Sequence, residues 1–100
     1  MSIEVTMVRV YVTEGEHIKD KLLTHLHDVE KVCGVTVFRG ITGFGSHGTV
    51  HSSTLLDMSL DLPLVVEFFD QTEKVAAIIE HLKTLVEPRR IVSWPARVHK

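Results

Sequence analysis

One hundred residues with 44% apolar side chains, 24% charged side chains and a formal net charge of −2 describe an ordinary soluble chain. A chain of this length forms one domain, residues 1–100, that hides roughly 65% of its unfolded surface, so it needs neither disulfide nor structural metal. The acidic balance speaks against nucleic acid, no apolar run reaches the ~20 residues of a membrane span, and Cys33, alone, excludes an internal disulfide.

The opening Met1-Ser2-Ile3-Glu4 carries an early acid where a secretory leader has a basic and then an apolar region, so the expectation is a cytoplasmic chain without membrane insertion. From Ile3 to Val12 the residues are mostly β-branched and apolar and predict a first strand, broken by "TEGE". Ile18, Leu22, Leu26, Val29 and Cys33 then recur every three or four residues and predict a helix over 16–33, with Cys33 a small buried hydrophobe and Gly34 the stop. "VTVFRGIT" reads as a second strand. "LDLPLVVEFFD" reads as a third, with Leu60, Leu62, Leu64, Val66 and Phe68 on one side, and Pro63, which lacks an N–H, puts part of it at an edge or a bulge.

Val75, Ile78, Ile79, Leu82, Leu85 and Val86 predict a second helix, capped by Asp70 or Thr72 and ended by Pro88. "RRIVSWPARV" makes a last short strand, in which Trp94 belongs to the core or to a subunit interface. The predicted order is β-α-β-β-α-β: an α+β, ferredoxin-like sandwich with a four-stranded antiparallel sheet, two helices on one face and a long loop between the second and third strands. Two helices cover one sheet face, yet both faces read as apolar: Ile3, Val5 and Met7 alternate with Val8, Val10 and Val12. Either self-association hides the second face, or a bulge near Met7 and Val8 exchanges the two faces and leaves the second one half-buried.

The long loop holds Gly43-x-Gly45-x-x-Gly48, the spacing of a dinucleotide fingerprint. A strand precedes it, but the stretch from Gly48 to Leu60 is short, rich in Ser, Thr and Asp, and without a periodic apolar face, so the crossover helix of that fold does not fit. No Gly-Lys-Ser/Thr sequence occurs either. Glycines in such a loop serve turning or a close approach of another molecule, and successive backbone N–H groups form an anion nest with no helix behind them. The backbone from Gly43 through Phe44, Gly45 and Ser46 to Gly48 is therefore a candidate anion contact, beside the reading in which the glycines only turn the chain.

"GITGFGSHGTVHSS" and "MSLDLPLVVEFFD", with Gly40, Gly43, Phe44, Gly45, His51, Ser59, Asp61, Leu62 and Pro63 as the most specific positions, resemble the PII-like family known as domain of unknown function 190, from "VRVYVTEGE" to the last strand. That family is similar to the PII nitrogen-regulatory signal-transduction proteins. The resemblance implies a homotrimer in which Gly43, Phe44 and Gly45 open a T-loop beside an intersubunit cleft for ATP, ADP, AMP or a related anion. It also implies a protein partner of the membrane-transporter class, reached through the loop. "VEPRRIV" departs from the PII pattern, having no glycine- and lysine-containing phosphate loop after the second helix; Arg89 and Arg90 stand in its place, either as bidentate phosphate donors or as solvated charges, and the long loop has Thr49, Thr54 and Asp57 where relatives often carry basic residues.

Seven histidines raise metal binding as the alternative. His25 and His27 face different ways on a helix. His47 and His51 share the loop with Ser46 and Asp57, and resemblance to the trimeric divalent-cation tolerance proteins keeps them as a candidate pair, without a third ligand or an HExxH or CxxC spacing. His17, His81 and His99 read as surface residues. A structural adaptor that binds no ligand is the third reading. Ser46 beside His47 lies outside a Gly-x-Ser-x-Gly frame, and Asp57, Asp61, Glu67 and Asp70 read as caps and solvated groups, so no enzyme is expected.

Overall fold

The computed structural model describes residues 1–44 and 62–100 together with the backbone of 50–52. In chain order the elements are β1 (Ser2–Thr13), α1 (Lys19–Thr24), β2 (Val35–Arg39), β3 (Thr42–Phe44), β4 (Val50–Ser52), β5 (Pro63–Gln71), α2 (Thr72–Leu82) and β6 (Ile91–His99). β1 pairs antiparallel with β5 on one side and β6 on the other, and β2 joins the far edge of β5, giving the order β2-β5-β1-β6. This is the expected ferredoxin-like arrangement. The connection between β2 and β5 carries an unanticipated two-stranded ribbon, in which Thr42, Gly43 and Phe44 face Ser52, His51 and Val50.

The core follows from side-chain alternation. Val8, Val10 and Val12 stand opposite Phe68, Val66 and Leu64 across the β1–β5 ladder. All six are buried against Leu22, Leu26, Val75, Ile78, Leu82 and Val86, and each such side chain taken from water stabilises the fold by about 1.5–3 kcal/mol. Pairing runs one-for-one from Val5–Gln71 to Thr13–Pro63 and from Ser2–His99 to Val10–Ile91. There is no bulge near Met7 and Val8, so the second face is not explained by a register change.

Several local expectations need correction. The stripe of the first helix holds through Leu26, but a π turn over His25–Val29 follows α1. The wider turn rotates the later residues, so Val29 is 63% exposed and Cys33 is exposed, while Val32 packs on the core in their place. The stop is not Gly34: Lys31 takes the left-handed conformation (φ 53°) and the Val32 N–H donates to the Leu26 carbonyl at 3.1 Å. The N-cap of α2 is Gln71, without a side-chain cap bond, in place of Asp70 or Thr72. Asp70 is buried; its Oδ1 accepts the Gln71 N–H at 2.8 Å and its Oδ2 lies 2.9 Å from Lys74 Nζ. Burial pushes the Asp70 carboxyl up, but Lys74 and the Gln71 amide together hold it below the usual carboxylate range.

Pro63 lies on an interior strand, at neither an edge nor a bulge. It is the first residue of β5, the remaining place where a missing N–H costs no ladder bond. Pro95, by contrast, sits in β6 at the edge of the sheet.

Candidate functional site

Antiparallel pairing gathers four chain segments at one end of the sheet: the end of β1 with Glu14–Glu16, the end of β2 with Gly40, the start of β5 at Pro63, and the Pro88–Arg90 turn that precedes β6. The ribbon leaves the sheet here. The Gly40 N–H donates to the Pro63 carbonyl at 2.7 Å. A Cβ added at Gly40 would lie 2.7 Å from Pro63 Cγ, and one at Gly43 would lie 3.1 Å from the same atom. Gly40 therefore has a packing reason to be glycine, because the proline ring fills the space a side chain would need, whereas at Gly43 a small shift of the ring would admit a Cβ.

Beyond that contact the ribbon is open, with Ile41 at 78% and Phe44 at 74% exposure. Gly43 faces His51 across the β3–β4 ladder. Of the candidate ligand and metal residues, Gly45, Ser46, His47 and Gly48 lie outside the described residues, as does the side chain of His51.

Acids and arginines brace the same end. Thr13 and Glu16 form a reciprocal cap in which Glu16 Oε1 accepts the Thr13 N–H at 2.7 Å and the Thr13 hydroxyl at 3.1 Å. Arg90 donates from one guanidinium nitrogen to both Glu16 oxygens, with 2.6 Å to Oε1. Burial raises the Glu16 carboxyl, but Arg90 and the Thr13 amide outweigh it and hold it below the ordinary value. Arg39 pairs with Glu14, whose N–H donates to the Leu62 carbonyl at 3.0 Å. Arg90 is thus tied to a carboxylate, whereas Arg89 is exposed and pairs with no acid among the described residues. This brace was missed in the sequence, although Thr13-x-x-Glu16 has the capping-box spacing that signals it.

The sheet face away from the helices carries Met7, Arg9 and Tyr11 of β1, Val65, Glu67 and Phe69 of β5, Phe38 of β2, and Val92 and Trp94 of β6 in adjacent registers. Phe38, Tyr11, Val92 and Trp94 are 47%, 44%, 44% and 38% exposed. Trp94 is therefore not core. At the centre Arg9 Nε donates to Glu67 Oε2 at 2.7 Å, and its guanidinium carbon lies 5.6 Å from the Trp94 ring centroid. Apart from that pair the face is largely apolar, and its exposed aromatics are what an interface with another molecule uses.

The histidines resolve differently from expectation. His27 meets Asp28 in the open, but His25 and His81 converge on one carboxylate, Glu30. A sequence shows no ligand spacing between positions 25 and 81, which come together only when α2 packs beside the first helix.

A model of the DUF190 family, described as an uncharacterized ACR, matches residues 5–98. A UPF0166 protein of Aquifex aeolicus (strain VF5) is 31% identical over 81 residues, covering 77% of this chain and 77% of its own. Among solved structures, CPII from Thiomonas intermedia K12, a nitrogen regulatory PII-like protein bound to ADP, AMP and bicarbonate, is similar with a TM-score of 0.73 at 20% identity, over 100% of this chain and 92% of its own. CutA1 from Oryza sativa is similar with a TM-score of 0.65 at 15% identity, over 99% of this chain and 84% of its own. At these identities the structural matches show a shared fold, and that fold is PII-like. No described helix is long and apolar enough to cross a membrane.

Proposed function

The chain belongs to the DUF190 family, and from that premise we propose that it is a PII-like regulatory protein of one domain, working in the cytoplasm as a homotrimer. Clefts between its subunits bind an adenine nucleotide or a related anionic small molecule, and the 43–58 segment carries the signal to a protein partner, a membrane transporter being the favoured class. It catalyses no reaction in this role.

The observation that carries the reading is likeness along the whole chain to a PII-like protein solved with ADP, AMP and bicarbonate. Two features of this chain support it. The apolar face bearing Tyr11, Phe38, Val92 and Trp94 is a surface that association would cover, and three copies follow from the family resemblance. Arg89 stands on the Pro88–Arg90 turn, at the end of the sheet from which the ribbon of Gly43 and Phe44 departs; in this reading its guanidinium and backbone amides of Gly43, Phe44, Gly45, Ser46 and Gly48 line one anion site, with Arg90 contributing what Glu16 leaves unused.

Calorimetric titration with ATP, ADP and AMP, each with and without Mg²⁺, tests the reading, with native mass spectrometry reporting subunit number. The expected result is a trimer that binds at least one of the nucleotides and loses affinity in Arg89→Ala. A monomer that gives no heat with any of the three at millimolar concentration would overturn it.

A further inference from the structure

We propose that His25, Glu30 and His81 form a binding site for a divalent transition-metal cation of the zinc class, placed between the first helix and α2 and separate from the glycine ribbon.

The geometry begins with the π turn. Residues five apart stand roughly 140° apart around a regular helix, but over His25–Val29 the wider turn lets the Glu30 N–H donate to the His25 carbonyl at 3.0 Å and puts the two side chains together. His25 Nε2 is 2.6 Å from Glu30 Oε2. From the last turn of α2, His81 Nδ1 reaches the same oxygen, also at 2.6 Å. The rings stand nearly perpendicular, at 87° with centroids 6.2 Å apart, so their nitrogens approach one point from two directions. All three ligand atoms lie within 4.8 Å of one another. A π turn of this kind is commonly found where a helix is bent to a functional need.

Charge points the same way. The Glu30 side chain is only 9% exposed, and among the described residues its ion-pair partners are these two histidines, with no Lys or Arg. A nearly buried carboxylate with no Lys or Arg beside it is a place where a bound cation supplies a full positive charge. Two imidazole nitrogens and one carboxylate oxygen are a donor set suited to Zn²⁺, which takes such ligands at about 2.0–2.2 Å and leaves a fourth position for water.

Ligand atoms around one tetrahedral ion stand about 3.3 Å apart at those bond lengths, so each nitrogen–oxygen contact opens by about 0.7 Å on binding. His81, 57% exposed at its side chain, has room to make that movement. A ring nitrogen that binds a metal carries no proton, so a proton it shares with Glu30 shifts to the other ring nitrogen, Nδ1 of His25 or Nε2 of His81, and any second proton on a ring leaves to solvent as the ion enters. A cation held here ties the end of the first helix to α2.

Titration of the metal-free full chain with Zn²⁺, and with Co²⁺ read by its visible absorption, tests the site. The expected result is one ion per chain, cobalt bands of tetrahedral intensity, and affinity reduced roughly tenfold or more in His81→Ala and in Glu30→Gln. The His47→Ala, His51→Ala double variant should bind as the unaltered chain does. Unchanged affinity in His81→Ala, checked as folded by circular dichroism, overturns the site, as does loss of binding in the His47, His51 variant alone. Absence of any zinc or cobalt binding leaves the three residues a hydrogen-bonded clamp between helices and also overturns the proposal.

Discussion

Replacement of Gly40 by alanine isolates the contact that fixes where the ribbon leaves the sheet. The new Cβ would stand 2.7 Å from Pro63 Cγ, while ordinary contact begins at 3.4 Å, so ring and strand must part by about 0.7 Å. Pro63 has no flexible chain end to swing away. It is fixed at the start of an interior strand, where its carbonyl accepts the Gly40 N–H at 2.7 Å. Overpacking of this kind costs about 1–3 kcal/mol, and stretching the hydrogen bond adds up to about 0.5–1.5 kcal/mol. The less flexible unfolded chain offsets about 0.4–1 kcal/mol. The net expectation is a loss of about 1–3 kcal/mol, or roughly 5–20 °C in Tm for a domain of this size. Gly34→Ala is the control, because a Cβ there meets nothing within 4 Å; it should be neutral or stabilising by up to about 1 kcal/mol. Urea unfolding of the two variants at one protein concentration measures the difference. If Gly40→Ala proves as stable as Gly34→Ala, the proline contact does not constrain the ribbon and the packing explanation of Gly40 fails.

Trp94→Glu should convert the proposed trimer to monomer in analytical ultracentrifugation without loss of helical circular dichroism, since Trp94 lies on the open face and outside the core; an unchanged sedimentation coefficient would show that the face is not the interface. Asp70 and Glu16 are both held below their unfolded values, so the stability they contribute is present above about pH 4–4.5 and is lost as pH falls through their lower folded values. Asp70→Asn should therefore cost stability at pH 7 and progressively less as pH falls below about 4, giving a flatter acid limb of the pH profile, and a loss that stays constant down the acid limb would refute this. Cys33 is exposed and should react with a thiol reagent in the folded protein as fast as in urea. Protection by folding would return it to the buried class.

Periodicity made most of the fold readable. Alternation in Val8–Val12 and Leu62–Phe68 and the 3–4 spacing from Val75 to Leu82 predicted the strands and the second helix, because each element had to bury one regular stripe; α2 stops at Leu82, however, and not at Pro88, so Leu85 and Val86 pack on the core from the turn beyond it. What escaped was local and cooperative. The π turn adds one residue to a helical turn for which His25–Val29 carries no compositional marker, and it turned Val29 and Cys33 outward. Lys31 took a left-handed conformation that glycine usually supplies, with Lys74 Nζ donating to its carbonyl at 3.0 Å from α2. At the candidate site, the glycine spacing was legible but its meaning was not, because Pro63 lies some twenty residues further along the chain and no local pattern reveals that contact. The His25–Glu30–His81 cluster was hidden for the same reason.

The Arg9–Glu67 pair changes what kind of docking the open face permits. Oily surfaces slide over one another with little preference for angle, but a charged couple at the centre must keep its partners saturated wherever it is buried. Arg9 and Glu67 hold each other within one chain, so a neighbour that covers them must also meet the donors and acceptors this pair leaves unused. A flat sheet with only oily groups to offer would therefore fit this surface less well than one that brings a polar group to its middle.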